Sequence, residues 1–165
     1  ELRRGVSLDR NFIVENIKMI EGSKPWYFTD AVSRKKLDLS LKAFNDFPKD
    51  SLSMLHVLLI ERFKDLLCVK TCIEEGRQPE IKTELEKLNK QKIQLDKCVN
   101  QANSKNPKKF QPLAISNYQS WCTNFSKEEL EDNILALIEL DADFKSGKVD
   151  NYSEAFMIKF VNMCS

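Results

Sequence analysis

The segment from Phe125 to Gly147 constrains the fold most, because it carries a full set of helix start and stop signals. Ser126 and Glu129 have the spacing of a capping box, in which each side chain accepts a hydrogen bond from the other residue's backbone amide. Gly147 suits the left-handed conformation that closes a helix, and Lys145 lies near the negative end of the helix dipole. Apolar residues recur between these ends at helical spacing, namely Leu130, Ile134, Leu137, Ile138 and Phe144. The segment is predicted to be a packing helix with no catalytic group in its apolar face.

A second helix is predicted from about Tyr152 to Cys164. Its apolar residues cover most sides of the helix, and they are Phe156, Met157, Ile158, Phe160, Val161 and Met163. A helix that is apolar on most sides is usually buried. We therefore expect this last helix to lie deep in a helical core.

The rest of the chain repeats the helical period, and alternation with a period of two is not sustained anywhere. Helices are predicted over about 7–20, 26–34, 37–47, 52–75, 79–102 and 112–124. In the longest apolar one the inward stripe is Leu52, Leu55, Leu59, Phe63, Leu66 and Ile73. Its first half is apolar on nearly all sides apart from His56, which predicts a central helix with several neighbours. The expected fold class is all-α, a bundle of about seven to nine helices.

Two interpretations are open for residues 79–102. Apolar residues recur there at intervals of four and three, with Lys92 where one more is due; they are Ile81, Leu85, Leu88, Leu95, Val99 and Ala102. This spacing fits a coiled-coil seam with another helix or another chain. It also fits an amphipathic helix packed on its own domain. We favour the second interpretation, because only three heptads are present and Lys92 interrupts them.

Composition limits the classes of function. The chain has 26 Lys and Arg residues against 25 Asp and Glu, a formal net charge of +1, which argues against a strongly basic nucleic-acid binder. No apolar run approaches the roughly 20 residues needed to span a bilayer, so we expect no membrane contact. The start of the chain lacks the apolar core of a secretory signal, so we expect no such signal there. The absence of an initiator methionine suggests a piece of a longer protein, and a cleaved or engineered start would look the same.

A domain boundary is predicted at the sequence Gly22-Ser23-Lys24-Pro25, because proline disfavours a helical conformation in the residue before it. A chain of 165 residues suits one domain, or one domain with a remnant of another. We therefore predict that residues 1–22 are the remnant of a preceding domain and that residues 23–165 form one helical domain.

Residues suited to chemistry are few and scattered. The five cysteines are odd in number and do not describe a disulfide framework: Cys68, Cys72, Cys98, Cys122 and Cys164. Cys68 and Cys72 lie one helical turn apart and could hold a metal, but we favour reduced core residues. His56 is interpreted as a partly buried residue at the core edge, because a catalytic base needs an oriented partner and a cleft. We find no Gly-rich phosphate loop. We therefore expect no catalytic residue, cofactor, metal or small-molecule substrate, and no enzymatic activity.

The most convincing loop is 103–111, where three lysines lie beside an aromatic ring. Lys105, Lys108 and Lys109 could contact a phosphate backbone while Phe110 stacks on a base. A solvated loop anchored by one aromatic residue is the more usual interpretation. The loop leaves open an alternative function, an unrelated helical nucleic-acid-binding or regulatory interaction domain.

Three stretches, in this order, resemble a known family. The first is Val14-Glu15-Asn16-Ile17 with Gly22-Ser23, followed by Phe28-Thr29-Asp30-Ala31-Val32 and by 37–44; the second is 58–70 with 75–81; the third is 121–147 with Asp150 and the closing helix. Together they are similar to the C-terminal part of the delta subunit of the bacterial DNA polymerase III clamp loader. The resemblance covers nearly the whole chain, although 82–111 is longer and more charged than the corresponding part of the family.

The resemblance implies a cytoplasmic, non-catalytic collar domain that associates with the collars of the gamma or tau and delta-prime subunits. The parent protein would be a subunit of the DNA polymerase III holoenzyme, a DNA-directed DNA polymerase, and 1–22 would end its lid domain. The ring of collars supports an assembly that loads the sliding clamp, so this domain would meet DNA only through the complex. Exposed apolar residues on helices such as 52–75 would match a neighbouring subunit's face. A collar from another clamp-loader subunit is the alternative within this resemblance.

Overall fold

The computed structural model describes residues 25–99 and 115–165, with side chains described up to residue 91 in the first range. Seven α-helices lie in these residues: α1 Pro25–Ser33, α2 Leu37–Asn45, α3 Leu52–Glu74, α4 Ile81–Val99, α5 Ile115–Trp121, α6 Lys127–Lys145 and α7 Tyr152–Met163. Short 3-10 turns occupy Lys49–Ser51, Gln78–Glu80 and Cys122–Asn124. The described ranges contain no strand, so the prediction of an all-α bundle is confirmed. The predicted helix at 7–20 and the predicted boundary near residue 22 lie outside them.

The helix ends follow the local sequence signals. In the capping box at the start of α6, the Ser126 amide donates to Glu129 Oε2 at 2.6 Å and the Glu129 amide donates to Ser126 Oγ at 3.0 Å. At its end Gly147 has a φ of 75°, and the following amide, from Lys148, donates to the Asp143 carbonyl at 2.9 Å. Gly76 closes α3 in the same way with a φ of 70°. Both predicted glycine stops are therefore confirmed.

The chain divides into two compact units. The described part of the first unit is 25–58 with 151–165, and that of the second is 59–99 with 115–150. The core of the first unit is a cluster of four buried phenylalanines from α1, α2 and α7, which are Phe28, Phe44, Phe156 and Phe160. The Phe160 ring centroid lies 5.0 Å from those of both Phe28 and Phe44. Tilted and edge-to-face contacts of this kind are favourable between aromatic rings.

The second unit has a core of aliphatic and aromatic side chains from α3, α4, α5 and α6. Phe63 of α3 contacts Phe125 edge to face, with 5.6 Å between the ring centroids. Leu130 and Leu137 of α6 are fully buried, as the sequence predicted. Ile81 and Leu85 of α4 are also buried. The first turns of α4 therefore pack on their own unit, as the favoured interpretation requires, whereas the side chains from Lys92 onward lie outside the described ones.

Three helices are less enclosed than the sequence predicted. The first half of α3 is not surrounded on all sides, because Met54, Val57 and Leu58 are exposed. In α6 the expected inward residues Ile138 and Phe144 are exposed, while Leu140 is buried instead. On α7 the expectation of a position deep in the core is wrong, because Ile158 is exposed and burial is confined to one face, with Phe156, Phe160 and Met163. The cause is the same in each case: one face of the helix packs against its unit, and apolar residues off that face stay at the surface.

Candidate interaction surface

The first half of α3 presents an exposed apolar face. Met54, Val57 and Leu58 are 45%, 58% and 37% exposed. Their spacing of three and four residues places them together on one side of the helix. The buried stripe of the same helix begins on its opposite side with Leu52, Leu55 and Leu59. We call Met54, Val57 and Leu58 the α3 stripe.

His56 lies on the core side of α3 and holds the helix that carries the α3 stripe in place. Its side chain is buried, and a 2.5 Å hydrogen bond joins its Nδ1 to the hydroxyl of Tyr152 on α7. The imidazole also stacks on the rings of Tyr152 and Phe156, at centroid distances of 5.8 and 5.2 Å and interplanar angles of 8° and 9°. His56 therefore holds this part of α3 against α7, and its imidazole is used for packing. The interpretation as a core histidine agrees with this placement, although the residue is more deeply buried than expected.

The two cysteines one turn apart on α3 behave as core residues of the second unit. Cys72 is buried, and Cys68 is half-buried beside an open groove of about 350 Å³ that Arg77 and Glu84 also line. Burial raises the pKa of the Cys68 thiol to about 11, with a further contribution from the neighbouring Cys72. At neutral pH Cys68 is therefore a thiol, whereas a cysteine nucleophile reacts as the thiolate.

The remaining cysteines fit the same description. Cys122 and Cys164 are buried, and burial raises the pKa of both thiols. The cysteines whose side chains are described are all free of disulfides, and Cys98 lies among the side chains that are not described. Within the described residues no group of three or more His, Cys, Asp and Glu side chains could hold a metal ion.

A second exposed apolar face lies on α6, in the second unit. Leu135 and Ile138 are 54% and 48% exposed, and Ala142 is exposed one turn further on. These residues, spaced by three and four, share one side of α6, opposite the buried Leu130 and Leu137. We call Leu135, Ile138 and Ala142 the α6 stripe. This stripe was not predicted, because the sequence pattern places Ile138 on the inward face; the spacing of 135, 138 and 142 was the signal available.

The predicted nucleic-acid contact is not tested by the structure. Lys105, Lys108, Lys109 and Phe110 all lie outside the described residues. The proposed phosphate and base contacts of this loop therefore stay a prediction. None of the described helices combines the length and the apolar character needed to cross a membrane.

Comparison with known proteins identifies a family for this chain. The family model for the DNA polymerase III delta subunit, C-terminal domain, matches residues 25–160. No curated protein and no solved structure matches the chain significantly. The matched range includes both the α3 stripe and the α6 stripe. The resemblance drawn from the three sequence stretches is thereby confirmed.

Proposed function

The chain belongs to the family of C-terminal domains of the DNA polymerase III delta subunit, and we propose that it is a non-catalytic assembly domain of a replication clamp loader. The observation that carries this proposal is the extent of the match, 136 of 165 residues from 25 to 160, which covers nearly all of the described helices. In this role the chain acts in the cytoplasm and meets DNA through the complex that loads the sliding clamp.

The α3 stripe is the face that we assign to the collars of the gamma or tau and delta-prime subunits. Contiguous exposed apolar side chains mark interaction surfaces on soluble proteins. Methionine is enriched at protein interfaces, and its unbranched side chain adapts to a partner's shape. The stack of His56 on Tyr152 and Phe156 supports the stripe from the core side. A preorganised face of this kind loses less entropy on binding than a mobile one.

The side chains that could take part in catalysis have surroundings that favour an assembly role instead. His56 is held in an aromatic stack, and Cys68 is a neutral thiol at neutral pH. Asp141 and Asp143, two neighbouring carboxylates of α6, form ion pairs at the surface, with Lys145 at 2.5 Å and with Lys148 at 3.0 Å respectively. A catalytic carboxylate pair needs environments that separate the two pKa values, and these exposed ion pairs do not supply them.

The test is assembly with purified partners. The chain is mixed with the C-terminal domains of the gamma and delta-prime subunits and analysed by size-exclusion chromatography. We expect a joint peak with the wild-type chain and its loss with the triple variant Met54→Ser, Val57→Ser, Leu58→Ser. The matched control is Leu39→Ser, which removes an equally exposed leucine from α2. Failure to co-elute at every salt concentration contradicts the proposal, and equal loss with the control moves the interface away from α3.

The loop at 103–111 is tested separately. A gel shift with single-stranded DNA at low salt compares the wild-type chain with the variant Lys105→Ala, Lys108→Ala, Lys109→Ala. Binding that the variant loses supports direct nucleic-acid contact, because each lysine that neutralises a phosphate adds affinity at low salt. Binding that is absent, or unchanged in the variant, removes the idea.

A further inference from the structure

The surroundings of the α6 stripe are acidic near Leu135. Leu135 is more exposed than Ile138, and its neighbours on the helix surface are those three and four positions away. These neighbours are Glu131, Asp132, Ile138 and Glu139. Three of the four are therefore carboxylates, and all three are exposed.

Other acidic residues of α6 already have hydrogen-bond or ion-pair partners. Of its seven acidic residues, Glu129 completes the capping box, while Asp141 and Asp143 pair with lysines. By contrast, Glu131, Asp132 and Glu139 form no ion pair with any described residue. The helix has only two lysines, one at each end, in a chain whose formal net charge is +1. The charge around Leu135 is thus local and uncompensated by the rest of the described helix.

We propose that the α6 stripe binds an amphipathic helix of a partner protein, with lysine or arginine residues along the edges of that helix's apolar face. The apolar residues of the partner would cover Leu135 and Ile138, and its cations would approach Glu131, Asp132 and Glu139. Helices that lay an apolar face on a partner are a common mode of recognition, and complementary charge selects among them. An anionic occupant, such as nucleic acid or an acidic lipid surface, is disfavoured by the same three carboxylates.

The small size of the α6 stripe limits the affinity of the complex and makes it depend on salt. Two large apolar side chains and one alanine form less contact than the roughly 1,600 Å² of a standard stable interface. Charge attraction must therefore supply much of the specificity, and it is screened over about 10 Å at 0.1 M salt. We expect a moderate affinity that falls as salt rises. This binding does not depend on the α3 stripe or on the clamp-loader assignment.

The experiment measures fluorescence anisotropy of two labelled helical peptides that share one apolar face of leucines. One peptide carries lysines beside that face, and the other carries glutamates at the same positions. We expect the full chain to bind the lysine peptide at least about tenfold more tightly than the glutamate peptide in low salt. We also expect the affinity for the lysine peptide to fall about tenfold or more between low and high salt.

Two variants of α6 and one control locate the binding. Leu135→Ser with Ile138→Ser should weaken binding of the lysine peptide at least about tenfold, because both positions lose the apolar area that the peptide covers. The variant Glu131→Lys, Asp132→Lys, Glu139→Lys should reverse the preference between the peptides. The control Asp38→Lys, Asp46→Lys, Asp50→Lys makes the same change in net charge at exposed acids of the first unit and should leave the preference unchanged.

The proposal is overturned if the two peptides bind equally, or if the control lowers binding as much as the α6 variants do. Circular dichroism checks that each variant is folded. If a multiple variant is unfolded, the single variants Ile138→Ser and Glu139→Gln replace it, and each must weaken binding of the lysine peptide. Because no clamp-loader subunit is present in this assay, its failure leaves the assembly proposal untouched, and failure to assemble leaves this proposal untouched.

Discussion

The two compact units bury their polar groups in different ways. In the first unit three buried hydroxyls donate to carbonyls one turn back in the chain: Thr29 to Trp26 at 3.1 Å, Ser33 to Thr29 at 2.7 Å and Ser40 to Lys36 at 2.8 Å. In the second unit the buried polar residues of α3 are Arg62 and Asp65, and they contact another helix, α5. The Arg62 guanidinium lies 4.9 Å from the Trp121 ring centroid and 5.4 Å from that of Tyr118, whose hydroxyl donates to Asp65 at 3.4 Å.

This difference means that different interactions stabilise the two cores. Local hydrogen bonds satisfy these three hydroxyls of the first unit, so contacts between its helices are left mainly to aromatic rings and to the hydrogen bond between His56 and Tyr152. In the second unit a cation and a carboxylate lose most of their water, and they are tolerated because rings and a phenol compensate for it. The first core should therefore be sensitive to lost volume, and the second to lost charge partners.

The largest expected effect is the loss of a ring from the first core. Phe160→Ala removes a fully buried side chain that contacts Phe28, Phe44 and Phe156. We expect the free energy of unfolding to fall by about 3–5 kcal/mol, because the lost transfer energy adds to the cost of a cavity. Chemical denaturation measures this. Ile158→Ala on the exposed side of the same helix is the control and should change stability by only about 0.5 kcal/mol; similar losses in both variants would contradict the described packing of α7.

The next effect tests the charged contact of the second unit. Arg62→Ala removes a cation from the faces of Tyr118 and Trp121. We expect a loss of about 1–3 kcal/mol, since a cation–π contact contributes from about 0.5 kcal/mol when exposed to about 2 kcal/mol when desolvated. Arg62→Lys keeps the charge but loses the planar stacking surface, so it should fall between the wild type and the alanine variant. Equal stability of the lysine variant and the wild type would show that only the charge is needed.

A smaller effect on the free energy of unfolding is expected at the helix ends of the two units. Gly147 and Gly76 close helices of the second unit at positive φ, whereas Lys35 closes α1 in the first unit with a φ of 50°. A side chain at such a position costs roughly 1–2 kcal/mol. Gly147→Ala should therefore lower the free energy of unfolding by about 1 kcal/mol, and Lys35→Gly should raise it by up to about 1 kcal/mol. Changes of the opposite sign, measured by thermal denaturation, would contradict this account of the helix ends.

These helix ends also show which features could be predicted from the sequence. The capping box of Ser126 and the stops at Gly76 and Gly147 depend on residues within one turn of each other, so a local pattern is enough to identify them. The choice of packing face was not local. The first half of α3 has apolar residues on two sides, and only the position of α7 against His56 decides which side is buried. The contact of Arg62 with Trp121 likewise joins distant parts of the chain and leaves no periodic signal.

The candidate surface was predicted only in part. The sequence named the helix at 52–75 as one that would meet a neighbouring subunit, but it assigned no residues to that contact. The α6 stripe was not predicted, because Ile138 continues the periodicity of the buried Leu130 and Leu137 as well as that of the exposed Leu135. Exposure distinguishes the two faces, and exposure depends on tertiary packing.

The smallest effect concerns a titration in the second unit. Burial raises the pKa of Cys68 from 9.0 to about 11, so the folded chain holds this proton more tightly than the unfolded chain does. Its contribution to stability is therefore fully present below pH 9 and is lost as the pH rises from 9 to about 11. We expect Cys68→Ala to lose less stability than the wild type over this interval, in denaturation curves recorded at each pH.

Alkylation gives an independent measurement of the same thiol. Because the thiolate is the reactive form, iodoacetamide should modify Cys68 in the folded chain more slowly at pH 8.5 than in the chain unfolded in urea. Mass spectrometry of tryptic peptides separates it from Cys72, which is buried and should also be protected. Rapid modification of Cys68 in the folded chain would show that burial does not disfavour its thiolate, and the raised pKa assigned to this thiol would then be wrong.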